Sequence, residues 1–255
     1  MLQHNYVLEA RERYGYIERL VTSDLPSSAS VVELGAAPGD QIAHFASIGY
    51  RCTSVDIGEA SDDWAGAEPG RMKQLLASAG VEDVIWDLEE VPYPLPSESF
   101  DAVIMTEVYE HLREYPITAL KEVHRILRPG GRLYFTTPNQ AYLPKRLRLL
   151  MGRNVQTPLH DWICGLPIAR HAREYTFAEI HQLMSEVHLS IVRSESRHFY
   201  LQSGRQGAAS LAKHALNVVA VRRPVLGPEI VVVAEKPARL FSEALQLALV
   251  RGISG

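Results

Sequence analysis

Residues 30–57 read SVVELGAAPGDQIAHFASIGYRCTSVDI, and this stretch decides the fold. It opens with an apolar run that ends in a loop containing Gly35 and Gly39. An amphipathic stretch then leads to a second apolar run, which ends on Asp56. This order predicts a strand, a tight turn, a helix and a parallel strand, a unit that binds nucleosides in doubly wound α/β proteins. The acid at the tip of the second strand is placed to accept hydrogen bonds from ribose hydroxyls.

The residues around the glycines indicate which ligand the loop accepts. A dinucleotide fingerprint, G-x-G-x-x-G, requires glycines where this chain has Ala37 and Asp40. A carboxylate at the helix N-terminus repels a pyrophosphate, and Pro38 removes a backbone N–H donor. Glu33 adds further negative charge just before the loop. An acidic pocket of this kind favours a cationic ligand such as S-adenosylmethionine and disfavours NAD.

The loop segment ELGAAPG at 33–39 resembles the first motif of the class I S-adenosylmethionine-dependent methyltransferases, commonly E/D-x-G-x-G-x-G. Ala37 replaces the middle glycine, which is tolerable if its φ stays negative. The similarity continues through SFDAVIMTEVYEHL and LRPGGRLYFTTPN and so covers about residues 31–139. It implies a Rossmann-like α/β fold, with helices on both faces of a seven-stranded, mostly parallel sheet whose last strand is antiparallel.

The same resemblance implies a cofactor site at the carboxyl ends of the strands. Asp87 is expected to accept from the adenine amino group, and the backbone at Leu88 to contact the ring. The expected cofactor-binding residues are Glu33, Gly35, Ala37, Gly39, Asp56, Ile57, Asp87, Leu88 and Thr106.

Length, charge and cysteine content narrow the class of protein. The chain has 255 residues, 46% of them hydrophobic, which is enough for one sizeable α/β core. A formal net charge of −4 disfavours a long nucleic acid as the main partner. Two cysteines make no disulfide framework, the N-terminus has no secretory pattern, and no apolar run is long enough to span a bilayer. These features predict a cytoplasmic protein.

The remaining chain continues the alternation of strands and helices, which predicts one domain over residues 1–255. An insertion at about 139–174 is too long for an ordinary loop and is expected to recognise the substrate. A leading helix at 7–22 carries tyrosines that either cover the cofactor or pack at the domain edge. The other expected helices lie at 71–79, 116–127, 175–187, 206–221 and 239–250. Further strands are expected at 81–86, 100–105, 132–137, 188–196 and 229–235.

A cluster of potential metal ligands follows the fourth strand. Glu107, Glu110 and His111 form an E-x-x-E-H pattern, and residues three and four apart share one face of a helical turn. Two carboxylates and an imidazole suit a divalent cation such as Mg²⁺, Mn²⁺ or Zn²⁺. His111 and Glu107 are also the candidate catalytic residues, since an imidazole can take the proton of an acceptor hydroxyl.

The E-x-x-E-H pattern, together with HAREYT at 171–176, is similar to the metal site of the small-RNA 3′-terminal ribose O-methyltransferases. The E-x-x-E-H part also resembles the ubiquinone-pathway O-methyltransferases. Carried over, these resemblances imply the metal ligands Glu107, Glu110, His111 and His171. The alternative is a metal-independent site, since E-V-x-E-H-L also occurs in class I methyltransferases that use no metal.

The predicted function is O-methylation of a small hydroxyl-bearing molecule such as a sugar, glycoconjugate or secondary metabolite. The alternatives are an N- or C-methyltransferase and a non-catalytic cofactor-binding partner or sensor. The basic segment KRLRLL at 145–150 is interpreted as a solvated amphipathic cover, with a membrane-surface contact and a guide for an anionic substrate as the other options.

Overall fold

The computed structural model describes residues 3–58, 69–164, 170–199, 218 and 222–238. The strands in these ranges are β1 (Ser30–Leu34), β2 (Arg51–Asp56), β3 (Glu82–Ile85), β4 (Phe100–Thr106), β5 (Leu127–Pro138), β6 (Ser190–Arg197) and β7 (Glu229–Glu235). The α-helices are α1 (Gln3–Asp24), α2 (Asp40–Ser47), α3 (Arg71–Ala79), α4 (Pro116–Ile126), α5 (Leu143–Leu150), α6 (Leu159–Cys164) and α7 (Phe177–Glu186). None of the described helices is long and apolar enough to cross a membrane.

The strands form one seven-stranded sheet in the order β3-β2-β1-β4-β5-β7-β6. Neighbouring strands from β3 to β5 are parallel, and β7 runs antiparallel between β5 and β6. The predicted mostly parallel sheet with an antiparallel last strand is therefore confirmed. The order reverses beside β1, and ligands bind at the carboxyl ends of the strands at such a point.

Helices cover both faces of the sheet, so its central strands are buried along nearly their whole length. This explains why their sequences are continuous apolar runs and do not alternate with polar residues. On one face, α4 and α7 pack Leu120 and Ile180 against the strands. On the other face, α1, α2 and α3 contribute Ile17, Phe45 and Leu76.

The turn after β1 brings two loops of the site into contact. Gly35 has a φ of +73°, and a Cβ at this position would lie 2.4 Å from Cγ2 of Val108, in the loop after β4. Only glycine fits there without displacing that loop. Ala37 has no positive φ, as its tolerance in place of glycine required.

Several boundaries differ from those predicted. β5 begins at Leu127 and not at 132, because Leu127 already pairs with Phe100 of β4. The intervening segment bulges from the regular ladder, with Gly130 at a φ of +81°, and Gly130 donates its N–H to the Lys236 carbonyl over 2.7 Å. Helix α7 begins at Phe177 because Thr176 and Glu179 form a capping box. The predicted helices at 206–221 and 239–250 lie outside the described residues, apart from residue 218.

The insertion at 139–174 leaves and returns to the sheet at adjoining points. Asn139 and Tyr175 form an isolated parallel bridge, and the Gln140 N–H donates to the Tyr175 carbonyl over 2.9 Å. The described part of the insertion contains α5 and α6 and no strand, as predicted.

Candidate active site

A cavity of about 340 Å³ opens at the carboxyl ends of β1, β2 and β4. This volume lies within the usual range for small-molecule sites. It is lined by Arg13, Tyr14, Glu33, Gly35, Ala37, Asp56, Ile57, Trp86, Asp87, Leu88, Glu89, Thr106, Glu107, Val108, His111, Leu112 and Arg113. All of the expected cofactor-binding residues except Gly39 therefore line this one cavity.

Gly39 serves the turn and does not line the cavity. It takes a φ of +89° as the N-cap of α2, and a Cβ there would approach Met72 to 3.1 Å. Its role is to let the turn pack against α3, which the glycine motif by itself does not reveal.

Asp56 ends β2 with its carboxylate held by two backbone donors. Oδ2 accepts from the Ala37 N–H over 2.9 Å, and Oδ1 accepts from the Ile57 N–H over 2.7 Å. A carboxylate offers about four lone-pair positions, so both oxygens keep capacity to accept from further hydroxyls. The side chain is thus fixed between the glycine loop and the end of β2, where a ribose diol can be recognised.

Glu33 and Arg13 are both buried and both line the cavity. Burial, with the nearby negative charge of Asp56, raises the pKa of Glu33 well above its usual value, and Arg13 opposes that shift. Arg13 is only 1% exposed although it lies on the apolar face of α1, four residues before Ile17. Arg13 was not among the site residues predicted from the sequence. A charged residue inside an apolar helical stripe was the signal that could have found it.

Glu107 lies at a strained position directly after β4. Its φ is +56°, which is uncommon for a residue with a side chain. Two contacts to β5 hold it there, since its N–H donates to the Thr136 carbonyl over 3.0 Å and the Thr136 hydroxyl donates to Oε1 over 2.8 Å. Strain of this kind costs about 1–3 kcal/mol and tends to occur at functional sites.

Glu110, His111 and His171 come together beside the cavity, with one potential ligand atom from each within 4.8 Å of the others. The two imidazole rings are 5.0 Å apart between centroids. Glu107 is not part of this group. His111 belongs both to the group and to the cavity wall, so the two features adjoin.

The hydrogen bonds in the group assign which atoms can act as ligands. His111 Nδ1 lies 3.2 Å from the Arg170 carbonyl, which only accepts, so Nδ1 carries the proton and the lone pair is on Nε2. The Thr137 hydroxyl donates a hydrogen bond to Oε2 of Glu110 over 3.0 Å, whereas Oε1 of Glu110 is buried with no hydrogen-bond partner. A buried carboxylate oxygen without a hydrogen-bond partner beside two imidazoles is a donor set that suits a divalent cation.

His171 is oriented in the same way by a carboxylate. Its Nδ1 lies 3.1 Å from Oε1 of Glu174, which also pairs with Lys145. Burial raises the pKa of Glu174, but the bonds from His171 and Lys145 outweigh it and lower the pKa overall. Glu174 is therefore ionised, so it accepts from Nδ1–H and leaves the lone pair of His171 on Nε2.

A further buried acid, Glu229, begins β7 at the same edge of the sheet and was not predicted. It is 3% exposed, and its Oε2 has no hydrogen-bond partner. Burial, together with the charge of Glu107, raises its pKa well above the usual value. Only the pairing of β7 with β5 brings this residue to the site, and no local motif marks it.

The chain was compared with known proteins. A family model described as a methyltransferase domain matches residues 8–194. A ubiquinone biosynthesis O-methyltransferase of Pseudomonas syringae pv. tomato is 30% identical over 116 residues, which are 44% of this chain and 47% of that protein. The chain thus spans about half the length of the curated relatives it matches.

Two solved structures share the fold at low identity. A chain from the complex between the Haloferax volcanii Trm112 methyltransferase activator and a methyltransferase has a TM-score of 0.61, at 17% identity, over 89% of this chain and 92% of that one. The N-methyltransferase NodS from Bradyrhizobium japonicum, in complex with S-adenosyl-L-homocysteine, has a TM-score of 0.53, at 16% identity, over 90% and 88%. With the family model matching most of the chain, the chain belongs to the class I S-adenosylmethionine-dependent methyltransferases.

Proposed function

We propose that this methyltransferase transfers the methyl group to a hydroxyl oxygen of a small molecule, with the help of a divalent cation. The observation that carries the proposal is the position of His111, which lies on the cofactor cavity and also within 4.8 Å of Glu110 and His171. An acceptor bound beside this group would lie next to the methyl donor. The match to ubiquinone biosynthesis O-methyltransferases over about half their length supports oxygen as the acceptor atom.

S-adenosylmethionine fits the charges along the cavity. We infer that Asp56 accepts from the ribose hydroxyls and that the walls at Asp87 and Leu88 receive the adenine. The methionine end of the donor carries a carboxylate and an ammonium group. Arg13 offers a positive charge for the carboxylate, and Glu33 offers a carboxyl oxygen that can accept from the ammonium group. When bound, S-adenosylmethionine supplies an electrophilic methyl group.

The cation would be held by Oε1 of Glu110 and by Nε2 of His111 and of His171. Two imidazoles and one carboxylate favour Mn²⁺ or Zn²⁺ over Mg²⁺, which prefers an all-oxygen shell. A bound divalent cation supplies Lewis-acid stabilisation of a deprotonated hydroxyl. Glu107, which the sequence also predicted as a ligand, lies outside the group of the other three residues, and we therefore assign it another role.

Glu107 is the group that we expect to take the acceptor proton. Its side chain lines the cavity, and the contacts to Thr136 fix its orientation. In the overall step, the acceptor oxygen forms a bond to the methyl carbon, the carbon–sulfur bond breaks, and the proton passes to a carboxylate or imidazole. In-line positioning of oxygen, carbon and sulfur supplies much of the acceleration.

We also propose that the chain acts as one methyltransferase unit whose insertion at 139–174 contacts the acceptor, since it carries His171 and Glu174 into the site. Both residues follow the two insertion helices and immediately precede the return to the sheet at Tyr175.

The test is turnover of S-adenosylmethionine with a panel of sugars, phenols and amines, in the presence of a chelator and after addition of Mn²⁺, Zn²⁺ or Mg²⁺. The proposal predicts methyl ethers as products, loss of turnover with chelator and recovery with Mn²⁺ or Zn²⁺. Undiminished O-methylation in excess chelator would remove the cation from the proposal. Methylation of amines alone would indicate an N-methyltransferase, and binding without turnover on any acceptor would indicate a non-catalytic protein.

A further inference from the structure

Helix α5 is amphipathic, yet none of its residues is buried. Helical periodicity places Leu143, Leu147, Leu150 and Met151 on one stripe. Within this stripe, Leu147 is 38% exposed and Leu150 is 84% exposed. A helix that covers a protein core buries its apolar stripe, and this helix does not.

The stripe points away from the rest of the protein. Lys145 lies on the opposite side of α5 and pairs with Glu174 of the insertion. This ion pair attaches the polar side of the helix to the body of the protein. Leu149 lies near Lys145 on the helical wheel, outside the stripe, and therefore offers a matched control for Leu150.

The segment around α5 is basic in a chain whose net charge is negative. Residues 123–160 contain no Asp or Glu, whereas the whole chain has a formal net charge of −4. Arg148 and Arg153 are exposed, and neither forms an ion pair within the part of the chain that the structure describes. The stripe is thus accompanied by positive charge that the described residues do not neutralise in ion pairs.

Helix α6 repeats the combination of exposed apolar and basic groups. Leu159, Trp162 and Ile163 lie on one face at helical spacing and are 70%, 48% and 64% exposed. The Arg170 guanidinium lies 5.5 Å from the centre of the Trp162 ring. Tryptophan and arginine are enriched at the boundary between lipid headgroups and acyl chains.

We propose that α5 and α6 form a membrane-binding surface that lies on an anionic lipid bilayer. The exposed leucine stripe matches the acyl boundary, and the arginines match the negative headgroups. A nucleic acid would use the arginines but not the leucine stripe, so the lipid surface accounts for both features. The proposal rests on the exposed residues of α5 and α6 alone and does not depend on the proposed chemistry.

The experiment is co-sedimentation of the full chain with vesicles of phosphatidylcholine alone or mixed with phosphatidylglycerol. We expect binding to the anionic vesicles only, weakened by added salt. L147S/L150S should lower the partition constant for anionic vesicles at least about tenfold, because the bilayer would then bury two serine side chains in place of two leucine side chains. L149S should stay within about twofold of the wild type, and R148Q/R153Q should bind about tenfold to thirtyfold more weakly.

Thermal melts followed by circular dichroism check that each variant is folded. Absence of sedimentation with anionic vesicles, or equal losses in L149S and L147S/L150S, would overturn the proposal. Sedimentation velocity tests the main alternative, in which the stripe is an interface between two copies of the chain. A dimer of the wild type that dissociates in L147S/L150S, with no vesicle binding, would show that the stripe is an interface between copies of the chain.

Discussion

Replacing Gly35 by alanine introduces a Cβ where the turn after β1 has no space for one. The new atom would lie 2.4 Å from Cγ2 and 3.1 Å from Cγ1 of Val108. Alanine also loses about 1–2 kcal/mol in a left-handed conformation, since the φ here is +73°. The stiff, β-branched Val108 cannot rotate away freely, and overpacking of this kind costs about 1–3 kcal/mol. We expect Gly35→Ala to destabilise the fold by about 2–5 kcal/mol, the sum of these two costs.

The double variant separates the two causes. In Val108→Ala both Cγ atoms are absent and the remaining Cβ is 3.4 Å away, an ordinary contact. Gly35→Ala should then cost only the conformational part, so the two substitutions should couple by about 1–3 kcal/mol in urea unfolding. Affinity for S-adenosylhomocysteine should fall in Gly35→Ala and recover partly in the double variant. An equal loss of stability in both backgrounds would refute the close approach of the two loops.

Three further predictions concern the acidic groups. Asp56→Asn cannot accept from both backbone N–H groups, so affinity for S-adenosylhomocysteine should fall at least about tenfold in calorimetry; unchanged affinity would contradict the role of Asp56. Glu174→Ala releases His171, so Mn²⁺ affinity should fall about 10- to 100-fold, and an equal affinity would exclude this orienting contact. Burial raises the pKa of Glu229, so the folded state holds that proton more tightly than the unfolded state, and stability is lost as pH rises through the raised value. Glu229→Gln should reduce that slope by up to about 1.4 kcal/mol per pH unit in urea unfolding, and an unchanged slope would contradict the assignment.

The fold could be predicted from the sequence because its strands are buried on both faces. Runs such as 30–34 and 229–235 are mostly apolar and do not alternate with polar residues, and their observed bounds agree with those predicted. The start of β5 could not be predicted, because an Arg-Pro-Gly-Gly segment favours a turn locally. The inclusion of this segment in β5 depends on contacts with Phe100 and Lys236, which are distant in sequence.

The candidate site was predicted where its residues follow one another along the chain. Glu110 and His111 are consecutive residues in one 3-10 turn, so their proximity follows directly from the sequence. Arg13 and Glu229 reach the site from opposite ends of the chain. Arg13 carries a local signal in the apolar stripe of α1, whereas Glu229 is brought to the site only by the pairing of β7 with β5. Glu107 was predicted as a ligand from its spacing, whereas in the structure it lines the cavity, accepts from the Thr136 hydroxyl and is not part of the group of Glu110, His111 and His171.

The most direct test of the account is the equilibrium binding of Mn²⁺ to the chain saturated with S-adenosylhomocysteine, measured by electron paramagnetic resonance of the free ion. The account predicts one ion per chain, binding at least about tenfold weaker in His171→Ala, and nearly unchanged binding in Glu107→Gln. Absence of stoichiometric Mn²⁺ binding, or equal affinity in the wild type and His171→Ala, would contradict it.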